Sequence, residues 1–204
     1  MPNLILLGNL NLERLPIFSF LIINPETGYY LHYNFVTKLL NDLFGIQSRS
    51  GCACAGPYGH YLLGIDEQLG EKYQNKLAIK DKATNDYISA NNEILKPGFT
   101  RFNIPFFLTD FQFDFILNAI AFISEHGWKF LPLYEFQKDT GKFWHKEANS
   151  NSTNKIDIDW NSTLNNKNPI HPEKNQHNIE TLKGYLTDAN KHLNSLDNFY
   201  EVDF

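Results

Sequence analysis

Both cysteines of the chain, Cys52 and Cys54, stand one residue apart in the segment SRSGCACAGPYGH (48–60), with Arg49, three glycines and His60 around them. Those residue types admit a metal hook, a redox pair, a nucleophilic thiol or a small-residue turn. A structural zinc site takes four ligands, usually with cysteines two to four residues apart. Cys52, Cys54 and His60 supply too few ligands and the wrong spacing, so no metal is expected. A thioredoxin-like dithiol needs two intervening residues rather than one. A bridge between residues so close would be badly constrained, so the thiols are expected to stay reduced. A single reactive thiol remains: Cys54 follows a short strand in a glycine-rich turn, and Arg49 is close enough in sequence to favour its thiolate. The alternative is that both cysteines are small buried hydrophobes, a common fate of free cysteine.

Arg101 is the other residue with a chemical reading. In GFTRFNIPFFL (98–108), Phe102, Ile104, Phe106 and Leu108 alternate onto one face, and Arg101 and Asn103 onto the other. There Arg101 either reaches solvent or offers its planar fork to a carboxylate. His32, His60, His126 and His145 fall at element ends or turns and form no nucleophile-activating order. Gly56 and Gly59 lie in GPYG, which lacks the pattern of a phosphate-binding loop.

The elements that must position these residues read as α+β (α/β). LPIFSFLII (15–23) reads as a buried strand. YNFVTKLLNDLF carries Phe35, Leu39, Leu40 and Leu43 at helical spacing, with Gly45 placed as a left-handed cap. IQSRS follows as a short strand. YGHYLLGIDEQLGEKYQ reads as helical, and DKATNDYISANNEILKPG as mostly loop. Pro105 implies that the strand at 98–108 lies at an edge or stops pairing early. The segment 109–127 starts on Thr109 or Asp110, carries Phe113, Ile116, Leu117, Ile120 and Ile123 along a stripe, and closes on Gly127. WKFLPLYEF reads as a final strand. The order implies a small sheet with helices packed on one face. Residues 1–147 form the domain, 148–178 an Asn/Ser-rich flexible insert, and 179–204 a C-terminal helix and tail, with Leu182, Tyr185, Leu186, Ala189, Leu193 and Leu196 at helical spacing.

The 204 residues carry a net charge of −5, and Lys and Arg do not cluster, which argues against nucleic acid as a partner. No apolar run reaches the roughly 18–20 residues of a membrane span. The N-terminal segment lacks the marks of a leader. A cytoplasmic location is expected.

The two stretches HYNFVTKLLNDLFGIQSRSGCACAGPYGHYLLGID and PGFTRFNIPFFLTDFQFDFILNAIAFISEHGWKFLPLY together resemble the C-terminal small domain of class V aminotransferase-fold enzymes. That pyridoxal-phosphate group includes the cysteine desulfurases, and the resemblance covers roughly residues 12–145. It implies that Arg49, Gly51 and Cys54 match an Arg-x-Gly-x-x-Cys segment whose cysteine takes sulfur as a persulfide. Cys52 and Ala53 stand where histidines are often found. It also implies that Arg101 binds the substrate's α-carboxylate. The Schiff-base lysine for pyridoxal phosphate would belong to a large domain outside this chain, which would not catalyse alone. The implied partners are an amino-acid substrate, when that large domain is supplied, and a second protein or a second copy of the chain. A non-catalytic interaction domain that binds a full-length paralogue is the alternative.

Overall fold

The computed structural model of the chain describes residues 1–51, 56–80, 84, 86–148 and 174–200. Eight strands are described: β1 (Leu4–Leu6), β2 (Ile17–Ile22), β3 (Arg49–Gly51), β4 (Ala78–Lys80), β5 (Tyr87–Ser89), β6 (Phe99–Asn103), β7 (Tyr134–Gln137) and β8 (Lys142–His145). The helices are α1 (Tyr33–Phe44), α2 (Gly56–Leu62), α3 (Glu67–Leu77), α4 (Asp110–His126) and α5 (Lys174–Tyr200), with 3₁₀ turns at Glu93–Leu95 and Gly127–Leu133. The main sheet runs β1-β2-β6-β3 with every neighbour antiparallel, and β4-β5 and β7-β8 form separate two-stranded sheets. This is an α+β architecture. Among the described residues no helix is long and apolar enough to cross a membrane.

Alternation along β2 explains the layers. Phe20 and Ile22 join Phe35, Leu39 and Leu40 of α1, Ile123 of α4, and Ala189 and Leu193 of α5 in one core. The intervening Leu21 turns to the opposite face, where Leu7 and Phe99 meet Leu62 and Leu63. Three helices thus cover one face as expected, and α2 adds a smaller apolar cluster on the other. In α5 the buried residues Ala189, Leu193 and Leu196 belong to the expected spacing, and the helix begins at Lys174. The expected insert at 148–178 falls largely outside the described residues.

Several elements differ from their sequence reading. The strand expected over 98–108 ends at Asn103. Pro105 has no N–H for the ladder, the Leu108 amide bonds back to the Pro105 carbonyl, and Phe106 emerges into solvent instead of sharing the face of Phe102. On α4 the buried set is Phe115, Ala119, Ile120, Phe122, Ile123 and Ser124, whereas Phe113 is exposed. Apolar residues occur nearly all round this helix, so spacing alone does not choose the core face. Its start matches expectation: Thr109 Oγ1 accepts from the Gln112 N–H at 3.3 Å, and Gln112 Oε1 accepts from the Thr109 N–H at 3.0 Å, a reciprocal cap. The expected strand at 128–136 begins only at Tyr134, because a 3₁₀ turn containing Pro132 comes first, and it pairs with β8 rather than joining the main sheet.

His32 caps α1. Its Nδ1 accepts from the Asn34 N–H at 3.1 Å, which leaves Nε2 to carry the proton and donate to the Ile94 carbonyl at 3.0 Å. Burial lowers its pKa below 6.5, partly opposed by the Ile94 bond. Protonation would place an N–H against the Asn34 donor. Because the folded pKa is depressed, this contribution to stability is present above about pH 6.5 and is lost as pH falls through the folded pKa. Urea unfolding at pH 7.5 and 5 is expected to show this loss, with a limiting slope of about 1.4 kcal/mol per pH unit for one proton. His32→Asn retains a cap acceptor without the titration and should show a smaller pH difference. An equal difference in both proteins would remove His32 as its source.

Candidate functional site

Register places the two arginines of the sequence reading side by side. Arg49 of β3 lies directly opposite Arg101 of β6, and Ser19 of β2 lies opposite Arg101 on its other side. Directly opposed residues share a face, with Cβ atoms about 4.5–5.5 Å apart. The neighbouring residue in β6, Thr100, is buried on the other face and donates its hydroxyl to the Tyr33 carbonyl at 3.4 Å. Arg49, Arg101 and Ser19 therefore form a row on the face turned away from α1, α4 and α5. Alternation assigned Arg101 to this side; the pairing of β3 with β6 brings Arg49 to it.

Arg101 is half-buried and Arg49 exposed. Among the described residues neither side chain has a hydrogen-bond or ion-pair partner. Like charges directly opposite each other destabilise a strand pair. An anion lying across both guanidinium groups removes that repulsion and accepts from two planar forks.

A close backbone approach holds β3 at this position. A Cβ on Gly98 would lie 2.9 Å from Gly51 Cα and 2.7 Å from Tyr33 Cε1, so only glycine fits without a shift. The Tyr33 hydroxyl in turn donates to the Lys96 carbonyl at 2.9 Å and fixes the approach of the chain to β6. Gly51 has φ 101°, a left-handed conformation that suits glycine. The chain leaves β3 there; Cys52 and Cys54 lie outside the described residues.

The face continues from Ser19 into a cleft of about 390 Å³ that includes Asn9, Arg14, Ile17, Tyr58 and Leu62. Arg14 donates to the Asn9 carbonyl. Ser19 and Arg14 were not among the residues singled out from sequence. A lone serine within IFSFLI was the available sign for the first, since a polar residue in an apolar strand marks a face that something polar meets. Beside this cleft the surface is apolar. Leu15 is 73% and Phe106 97% exposed, and the Ile104 N–H bonds to the Pro16 carbonyl, joining the two segments that carry them.

The remaining sequence candidates do not converge here. His60 is exposed in α2, and Gly59 is buried within the same helix. His126 ends α4 beside Glu125, at 3.6 Å. His145 ends β8, and its Nδ1 accepts from the Glu147 N–H at 3.2 Å. Among the described residues no group of three or more His, Cys, Asp or Glu side chains could hold a metal. Every lysine whose burial is described is half-buried or exposed, and Lys38 pairs with Asp42. No family model matches the chain, and no curated protein or solved structure matches it significantly.

Proposed function

We propose that this chain is the small domain of a pyridoxal-phosphate-dependent enzyme of the class V aminotransferase type, related to the cysteine desulfurases, and that it presents Arg101 and Arg49 to the carboxylate of an amino-acid substrate. The observation that supports this reading is the cross-strand pairing of two guanidinium groups that have no counterion among the described residues. In this reading the cofactor, anchored on another domain, supplies the electron sink for chemistry at the amino acid. This chain binds and orients the carboxylate through the two forks, and Cys54 serves as the thiol that accepts sulfur. The exposed Leu15 and Phe106 beside the site are apolar surface of the kind that another domain or chain covers.

The test follows the arginine Nε–H signals by NMR during titration with L-cysteine at constant ionic strength. Saturable shifts at Arg49 and Arg101, weakened about tenfold or more in Arg101→Ala, are expected from loss of a charge-assisted fork. Shifts absent up to high concentration would overturn the carboxylate assignment. Borohydride reduction in the presence of pyridoxal phosphate tests the cofactor assignment: one lysine of this chain labelled stoichiometrically would place the anchor here.

A further inference from the structure

A second polar cleft lies on the helix-covered side of the molecule, between the outer face of α1, the residues entering β3, and β8. Its volume is about 520 Å³, and it is lined by Asn34, Thr37, Lys38 and Asn41 from α1, Gln47 and Ser48 before β3, and Lys142 and Phe143 from β8. Seven of these eight side chains are polar, two are cations, and no carboxylate lines the cleft. Asp42, which follows Asn41 on α1, is already held by Lys38 and by the Tyr134 hydroxyl at 2.9 Å. Asn34 Nδ2 donates to the Gly141 carbonyl at 2.7 Å, which pins the turn preceding Lys142 against α1 and sets the second cation across from the first.

Two hydroxyls give the cleft a further property. Thr37 Oγ1 and Ser48 Oγ are shielded from solvent and have no hydrogen-bond partner among the described residues. Leaving a buried hydroxyl unpaired is unfavourable, and these two lie in one cleft on two different elements. A hydroxyl donates to any acceptor brought against it, and lysine only donates. The Lys142 and Gln47 side chains likewise have no partner among the described residues. The occupant that satisfies this set offers several acceptor oxygens and negative charge. A neutral polyol would leave the Lys142 charge uncompensated, since Lys38 already pairs with Asp42.

We propose that this cleft binds a phosphoryl group, held between Lys142 and Lys38 with the Thr37 and Ser48 hydroxyls and the Gln47 amide donating to its oxygens. The site is separate from the arginine row, which occupies the opposite face of the sheet, and it does not depend on the function proposed above.

Inorganic phosphate and phenyl phosphate are titrated into the full chain at constant ionic strength, with chloride as the control anion, and binding is read by calorimetry and by backbone amide shifts. A saturable event is expected in the shifts at residues 34–48 and 142–143, distinct from any response of the Arg49–Arg101 pair to the same anion. Lys142→Glu should weaken it at least tenfold, and Gln47→Glu should weaken it by a smaller factor. Both positions are exposed, so the variants should fold, and unchanged far-UV circular dichroism verifies this. In Arg49→Ala and Arg101→Ala the saturable shifts at residues 34–48 and 142–143 should keep the parent's affinity, since neither arginine lines this cleft. Tighter binding of phenyl phosphate identifies an organic ester that uses the Phe143 wall, and equal binding identifies the phosphoryl group alone. Non-saturable binding, full affinity in Lys142→Glu, or loss of affinity in the arginine variants would overturn the proposal.

Discussion

Phe35→Ala is expected to destabilise the fold by about 3–5 kcal/mol, the range for truncating a large buried aromatic side chain. Phe35 is fully buried on α1 and faces the Tyr134 ring edge-on at 5.2 Å and the Phe143 ring at 5.8 Å. Its removal takes apolar surface from the core and leaves a cavity between α1 and the β7-β8 hairpin. The neighbours are poorly placed to fill that space. Tyr134 is held by its bond to Asp42, and the hairpin is held by Asn34 on Gly141. Urea unfolding followed by tryptophan fluorescence measures the loss. A value below about 1 kcal/mol would mean that the site collapses without a cavity, against the packing described here.

Gly98→Ala should have the second-largest effect, and a more local one. The added methyl meets the Gly51 backbone as well as the Tyr33 ring, and backbone cannot swing aside as a flexible side chain does. The expected outcome is a loss of about 1–3 kcal/mol, the usual cost of overpacking, accompanied by displacement of β3 from β6. Because Arg49 and Arg101 are opposed only through that pairing, their joint response to a carboxylate should weaken in the same protein. The two readouts are urea unfolding and arginine Nε–H shifts during the L-cysteine titration. Parent-like values in both would show that β3 has room to accept a side chain at 98.

These positions also show how much of the molecule was legible in its sequence. The α1 helix was, because Phe35, Leu39 and Leu40 recur at helical spacing before Gly45, whose φ of 65° makes the expected left-handed cap. Leu43 shares that spacing and is only half-buried; Val36 and Phe44 are buried instead. The face of Arg101 was legible from alternation, a local property. Its partnership with Arg49 was not, since it depends on a pairing between strands distant in sequence, and a three-residue strand such as β3 carries little periodicity of its own. The same brevity hid β1 and β8. The phosphoryl cleft was hidden for a different reason: its polar residues come from three separate segments, and each alone reads as ordinary solvated surface. Thr37 and Ser48 acquire meaning only when folding removes both hydroxyls from water without supplying a partner among the described residues.

The position of α5 constrains how the protein is made. Ala189, Leu193 and Leu196 complete the core to which α1 and α4 contribute, so the principal hydrophobic interior is closed by a helix that leaves the ribosome well after both of them. At about 5–20 residues per second, the apolar faces of α1 and α4 wait for several seconds before their final neighbour arrives. During that interval they are available to chaperones and to other nascent chains. Replacing Leu193 and Leu196 together by serine should therefore reduce soluble yield in cells more than the loss of two side chains would suggest.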